Sequence, residues 1–380
     1  MNVLINAISI KEGGSLVVVR KLISEFAKAK PDYTWFVAVC RENLLDNENL
    51  LSNVNVLIFP WAEKSAFHLW YWYEFIVSKL IKEIDISLLY SLTNYLPRKS
   101  LSIPTILLVQ HAGHFSKEFD DLMIKDMSLL QRLLWSYKKM WVKQSIKNTN
   151  TLTVQTKSLA NLINQAQLDI SQISVISHGP GLDLNPKQNR CIDSEKPVLG
   201  YVTKYGVQKN FSVVLRSIKK LVLSGINPQL ILTLNENSPE VKSILKEISD
   251  NGIEGNIINY GEVEQHKIQE IYNKIDIFLF PSIVESFGMP MLEAMSVGLP
   301  VIAAKTPVNQ EILGENAILF SANSDKELSE KIMQLVNNPS SYASAASNSL
   351  DRIKYFSWES ASKKNLALID RTLNHTQVAG

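Results

Sequence analysis

The sequence predicts an α/β fold built twice, as two doubly wound parallel-sheet halves joined in series. Three observations predict it. The chain has 380 residues, and a single hydrophobic core rarely grows past about 250–300 residues. Short apolar runs alternate with helix-period segments along nearly the whole length, which is the signature of βαβ units. That alternation breaks once, at the polar stretch GPGLDLNPKQNRCIDSEK over 179–196, whose Gly, Pro and Asn content reads as a linker. The predicted domains are therefore 1–178 and 197–354, with 179–196 between them.

Taken in order, MNVLINAISI opens the chain with a short apolar strand, followed by a polar turn holding Gly13 and Gly14. SLVVVRKLISEFAKAK then has helical spacing, with Val18, Leu22 and Phe26 on one face. Further strands are predicted at 35–40, 54–60, 86–92, 105–110 and 151–156, with helices at 67–82, 127–147 and 157–165. Beyond the linker the series restarts. Strands are predicted at 198–203, 229–234, 256–261, 276–282 and 300–305, and a helix follows the first of them. The tail YFSWESASKKNLALIDRTLN reads as a helix, placed over 355–380.

Composition narrows the function. Apolar residues make up 46% and charged residues 20%, an ordinary globular balance. A net charge of +2 is too small to argue for a nucleic-acid partner. The two cysteines, Cys40 and Cys191, form no CxxC pair, which argues against a disulfide framework or a cysteine zinc site. The N-terminus lacks a basic segment followed by a long apolar run, and no stretch of about 18 uncharged apolar residues occurs. The expected location is cytoplasmic.

The segment DIFLFPSIVESFGMPMLEAMSVGLPVIAA (276–304) carries the chemistry. A buried strand stops at Pro281-Ser282. Glu285 follows in the loop, and Gly288 and Pro290 open a helix that contains Glu293. Gly298 and Pro300 end it. Ligands of open α/β sheets bind outside the carboxyl ends of strands. Amides near Phe287, Gly288 and Met289 would face such a ligand, where a helix N-terminus favours an anion. Two carboxylates beside an anion site are good acceptors for paired hydroxyls, as on a ribose or hexose.

Glu285-x7-Glu293, framed by FPSIVESFGMPMLEAMSVGLPVI, closely resembles the signature of the retaining glycosyltransferase family 4. The likeness covers the second half well and the first half loosely. It implies the GT-B fold, two facing Rossmann-like domains with a cleft between them and the last helix packed back on the first domain. It implies a sugar moved with retention from a nucleotide diphosphate-sugar to a hydroxyl acceptor, as in bacterial polysaccharide or glycolipid assembly. Glu293 would then hold the ribose hydroxyls, Glu285 the transferred sugar, and the amides of Phe287, Gly288 and Met289 the sugar and distal phosphate. In GYVTKYGVQKN (200–210), Lys209 and Asn210 fall where the family grips the diphosphate. Lys204 stands where the family has Arg, keeping the charge but losing the bidentate fork. Gly13 and Gly14 resemble the family's N-terminal glycine loop. His111, after the strand TILLVQ, sits where relatives carry a histidine facing the donor sugar, and His114 competes with it.

No Asp-x-Asp occurs in the sequence, so positive side chains and helix amides are expected to neutralise the leaving diphosphate. Neither a required metal nor a cofactor is expected, the nucleotide-sugar being a substrate. The rival readings are a sugar-nucleotide epimerase on the same scaffold and a non-catalytic nucleotide-sugar-binding subunit. LLQRLLWSYKKMWVKQSIKN (129–148) is basic and amphipathic, with Leu130, Leu134, Tyr137 and Trp141 on one face. It either buries that face in its domain or meets an anionic membrane surface or lipid-linked acceptor. The expected partners are thus the donor, a glycan or lipid-linked acceptor and, on the second reading, the inner face of a membrane.

Overall fold

The computed structural model describes residues 1–45, 50–168, 173–187 and 190–378. The chain divides into two compact units. The first comprises residues 1–120, 124–179 and 357–380, and the second 121–123 and 180–356.

Seven parallel strands form the sheet of the first unit: β1 (Asn2–Asn6), β2 (Thr34–Val39), β3 (Val54–Ile58), β4 (Leu88–Ser91), β5 (Thr105–Val109), β6 (Thr151–Val154) and β7 (Ile173–Val175). Their spatial order is β3-β2-β1-β4-β5-β6-β7. β4 and β5 are buried at every position, as expected of a parallel sheet covered on both faces. The helices are α1 (Gly13–Ala29), α2 (Ala66–Tyr71), α3 (Val77–Glu83), α4 (Lys117–Met123), α5 (Leu129–Asn148) and α6 (Lys157–Gln165). α6 starts where Thr156 caps it by accepting from the Leu159 amide at 3.1 Å.

The helix expected over 67–82 is interrupted. Residues Trp72–Ile76 form a π-turn between α2 and α3. The wider turn lets the adjacent Trp72 and Tyr73 both reach the core, where neither retains exposure. The expected glycine turn is also corrected: Gly13 and Gly14 form the first turn of α1 itself, with Gly13 at φ +71°.

The second unit repeats the plan with β8 (Val198–Tyr201), β9 (Gln229–Leu232), β10 (Ile257–Asn259), β11 (Ile277–Phe280), β12 (Val301–Ala304) and β13 (Ile318–Phe320). The order is β10-β9-β8-β11-β12-β13, all parallel. Around it lie α7 (Phe211–Leu223), α8 (Pro239–Asn251), α9 (Ile268–Lys274), α10 (Met289–Ser296), α11 (Pro307–Leu313), α12 (Asp325–Val336) and α13 (Pro339–Ile353). The edge strands β7 and β13, three residues each, were not visible in the sequence pattern.

The stretch expected as a linker behaves differently, apart from positions 188–189, which lie outside the described residues. From Pro180 onward it clusters with the second unit. Arg190 fastens it there by donating to the carbonyls of Val297 at 2.9 Å and Ile275 at 2.8 Å. The last helix, α14 (Trp358–Val378), begins three residues later than expected, and 379–380 lie outside the described residues. It belongs to the first unit. Lys30 and Tyr33 bind Asp370 at 2.9 and 3.0 Å, and Trp358 stacks on the buried His178 with ring centres 5.1 Å apart.

Tyr90, in the middle of the first sheet, donates its hydroxyl to Asn365 on α14 at 2.6 Å, and Asn365 is 1% exposed. Truncation would strand a buried donor. Asn365→Ala is expected to lower stability by about 1–3 kcal/mol, read from urea unfolding followed by tryptophan fluorescence. An unchanged midpoint would detach α14 from the core of the first unit.

Candidate active site

In the second sheet β8 and β11 are neighbours although β9 and β10 separate them in sequence. The chain winds one way from β8 and the other way from β11. The loops after these two strands must therefore part, and such a switch point is where doubly wound sheets bind ligands. Both candidate loops leave from it.

The loop after β8 ends in a short 3-10 turn, Val207–Lys209, followed by Asn210 in the left-handed region at φ 50°. Asn210 sits immediately ahead of α7, and its side-chain amide donates through Nδ2 to the Ala322 carbonyl at 2.7 Å. The loop after β11 is zipped to this one. The Ile283 amide donates to the Gln208 carbonyl at 3.1 Å. The buried Tyr201 hydroxyl meets both the Lys209 carbonyl and the Ser282 hydroxyl at 3.1 Å.

This bracing brings together two of the predicted residues. The Lys209 ammonium lies 2.5 Å from the Glu285 carboxylate, and the two side chains are only 13% and 14% exposed. The same ammonium stands 5.5 Å from the centre of the Phe280 ring. Lys204 is not part of this pair. It is exposed, and its carbonyl accepts from the Thr203 hydroxyl at 3.2 Å.

α10 opens at Gly288, which has φ +86°. A β-carbon there would also press on the flexible tip of Met291 at 2.6 Å, but it is the positive φ that calls for glycine. The Phe287 ring is buried and packs 6.0 Å from Phe356. Between Phe287 and Met289 the chain can therefore offer backbone rather than ring to a ligand. Pro290 takes the first turn, where its missing N–H costs nothing.

Glu293 lies inside α10 and receives the Tyr272 hydroxyl at 2.9 Å. Burial pushes its carboxyl up to about 7, and the Tyr272 hydrogen bond works in the opposite direction. The backbone of Gly181 passes so close that a β-carbon there would collide with the Glu293 carboxylate. Neither Tyr272 nor Gly181 carried a sequence signal. Their relation to Glu293 exists only once α9 and the segment after Gly179 are folded around α10.

The first unit has its own switch point between β1 and β4. A cavity of about 260 Å³ opens there, lined by Ser9, Lys11, Glu12, Ser15, Thr93 and Asn94 among others. Gly13 and Gly14 lie exposed beside these lining residues. His111 is exposed just past the end of β5, its ring 4.7 Å from that of His114 and 5.4 Å from Phe119. His114 is 5% exposed and stacks on Trp135 at 5.1 Å. Burial first, and then His111 and the nearby lysines, lower its pKa to about 3. Of the two histidines, His111 is the one a ligand can reach. Among the described residues, no three His, Cys, Asp or Glu side chains are grouped to hold a metal ion. A larger cavity of about 1170 Å³ in the second unit is lined by β13, α12 and α13, and none of the candidate residues borders it.

Between about pH 4.5 and 7 the folded chain keeps a proton on Glu293 that the unfolded chain releases. The stability contributed by this group therefore falls as pH rises through that window and levels off above it. Glu293→Gln removes the titration. The drop in melting temperature between pH 5 and 8 is expected to be smaller in the variant than in the wild type, whereas equal drops would place this carboxyl in water.

Residues 185–352 match the family described as glycosyl transferases group 1. The chain is 27% identical over 190 residues to the probable sucrose-phosphate synthase of Vicia faba, covering 46% of this chain and 18% of that protein. It is 29% identical over 124 residues to O-antigen chain mannosyltransferase B of Escherichia coli, covering 32% of each. The chain thus spans less than a fifth of the plant relative and about a third of the bacterial one. The crystal structure of Anabaena HepE in complex with UDP and glucose superposes with a TM-score of 0.71 at 17% identity, over 98% of this chain and all of that one. The family match encloses the entire Lys209, Glu285 and Glu293 constellation but spans less than half of the chain; the fold, matched over nearly the full length, is GT-B, and residues 185–352 are similar to the glycosyl transferases group 1.

Proposed function

We propose that this protein transfers a glycosyl group from a nucleotide diphosphate-sugar to a hydroxyl acceptor, with retention of anomeric configuration. The observation that carries this reading is the near-buried Lys209–Glu285 pair at the β8/β11 switch point, inside the family match. Glu293, on the helix that follows, accepts hydrogen bonds from ribose hydroxyls. Lys209 neutralises the diphosphate, and Glu285 accepts from a hydroxyl of the transferred sugar. Amides of the Phe287–Met289 turn and the glycine start of α1 add donors for the phosphates and the sugar.

In the transfer the bond from the anomeric carbon to the phosphate oxygen breaks, and a bond to the acceptor oxygen forms on the same face. The acceptor's proton passes to the departing phosphate, and free nucleoside diphosphate leaves. The protein supplies position and charge rather than a covalent partner. Lysine charge and helix amides make a divalent metal unnecessary, so turnover persists in excess EDTA. UDP is the donor nucleotide to test first, because Anabaena HepE was solved with UDP and glucose. The acceptor class is a bacterial surface glycan or glycolipid, supported by the likeness to the O-antigen mannosyltransferase.

Calorimetry with UDP and UDP-glucose tests the donor site. Lys209→Ala and Glu293→Ala are each expected to weaken binding by about 10-fold or more, the loss of a charge-assisted hydrogen bond. Lys204→Ala, exposed and outside the pair, is expected to do less. Equal losses at Lys204 and Lys209 would show the phosphate register to be wrong, and unchanged affinity at Glu293 would remove it from the site.

His111→Ala is expected to cut turnover by about 10²-fold while UDP affinity stays within a few-fold, since a contact made mainly in the transition state lowers rate and not ground-state binding. The assay is release of free UDP on addition of acceptor. His114→Ala should act through packing and lower the melting temperature first. A larger kinetic loss at His114 with an intact fold would move the role there.

A further inference from the structure

The geometry points to α5 as a docking face for an anionic lipid surface, lying on the bilayer without entering it as a span. The sequence allowed a helix that buries Leu130, Leu134, Tyr137 and Trp141 together. The structure divides that set. Trp141 is buried with Val142, Ser145 and Ile146 in the second half of the helix. Ahead of Trp141, Leu129, Leu130, Leu133, Leu134, Tyr137 and Met140 are 36–78% exposed. Six large apolar side chains on one helix face, each at least 36% exposed, make a contiguous patch of the kind that marks an interaction surface. The Ser128 capping box, with Gln131 reaching back to the Ser128 amide at 2.8 Å, holds this end helical without burial.

Charge selects the occupant. The helix carries Arg132, Lys138, Lys139, Lys143 and Lys147 and not one acidic residue. Lys139 is engaged by Asp120, and Arg132 donates to the carbonyls of Ile124 and Met127. Lys138 and Lys147 are exposed, Lys138 beside the apolar stripe and Lys147 two turns past Met140 on the same face. A second copy of this chain would bring like charges together along the same helix, whereas anionic headgroups complement them while the leucines enter the acyl boundary. Phe67, Tyr71 and Phe75, at 41–65% exposure on α2 and the π-turn, add apolar surface to the same unit. No helix among the described residues is long and apolar enough to cross a membrane, so the contact is interfacial.

The test is co-sedimentation of the full chain with vesicles of phosphatidylcholine and phosphatidylglycerol, against phosphatidylcholine alone. Wild type is expected to partition onto the anionic vesicles and to be released by salt. Leu130→Asp with Leu133→Asp should lower the partition coefficient about 10-fold or more, and Lys138→Glu with Lys147→Glu should lower it on anionic vesicles by a similar factor. Both positions pairs are exposed, so the fold should survive, as an unchanged melting temperature would show. Leu223→Asp, at an equally exposed leucine of the second unit, should leave binding intact. Absence of wild-type partition, equal binding to both vesicle types, or variants that bind like wild type would each overturn the proposal. So would a concentration-dependent dimer in sedimentation that the leucine variant abolishes, since a second copy would then cover the face.

Discussion

The second unit is organised around one contact, the ion pair between Lys209 and Glu285. The two residues leave the carboxyl ends of adjacent strands that are separated in sequence by two full βα units. Their side chains are largely withdrawn from water. A pair in that position is poor evidence for stability, because desolvating both charges offsets most of their attraction. Its value lies in what can replace it. An anion arriving at the switch point can take the lysine, and a hydroxyl can take the glutamate. The arriving groups meet charges already held in place by the fold, so little reorganisation is needed. Preorganised charge of this kind is the main resource of an enzyme that offers no covalent partner.

Holding that pair demands unusual backbone on both sides. Asn210 closes the β8 loop at φ 50°, a conformation that asparagine tolerates better than most residues. Its side-chain bond to Ala322 compensates for the strain locally. Gly288 closes the β11 loop at φ +86°. The Tyr201 hydroxyl, buried beneath, touches both loops at once. The loops are therefore not free connections but a braced pair, and Glu293 is set one helical turn beyond the bracing, where burial favours its neutral form. A carboxyl that titrates near 7 can couple proton release to the acceptance of hydroxyl hydrogen bonds.

Local pattern revealed what depends on local chemistry. The strand run ending at Pro281, the Gly288–Pro290 helix start and the spacing of Glu285 to Glu293 all lie within one 29-residue stretch, and they are legible because turn and cap residues have fixed physical roles. Long-range consequences were hidden. Tyr272 meets Glu293 from another helix, Gly181 from the segment after the first unit, and neither position has a periodic or turn signature. The edge strands β7 and β13 are too short for alternation to declare itself. The π-turn at Trp72–Ile76 was masked because apolar spacing cannot distinguish one wide turn from a regular helix. That the polar stretch from Pro180 clusters with the second unit was not legible either, because polarity marks an exposed segment, not which carbonyls Arg190 will bind.

The fate of α5 shows why pattern and burial can part company. Helical periodicity reports that apolar residues share a face, and the usual inference is that a protein surface covers it. Here the second half of the helix obeys, closing Trp141 over Tyr73 with ring centres 5.1 Å apart. The first half continues past the edge of that support, kept helical by its Ser128 cap. The same stripe thus changes from core to surface within one element. Nothing in the spacing of the residues changes at that point; what changes is whether neighbouring segments of the first unit reach far enough to cover them. A stripe left uncovered in this way, on a helix with basic residues and no acidic ones, acquires its physical meaning from a partner outside the chain.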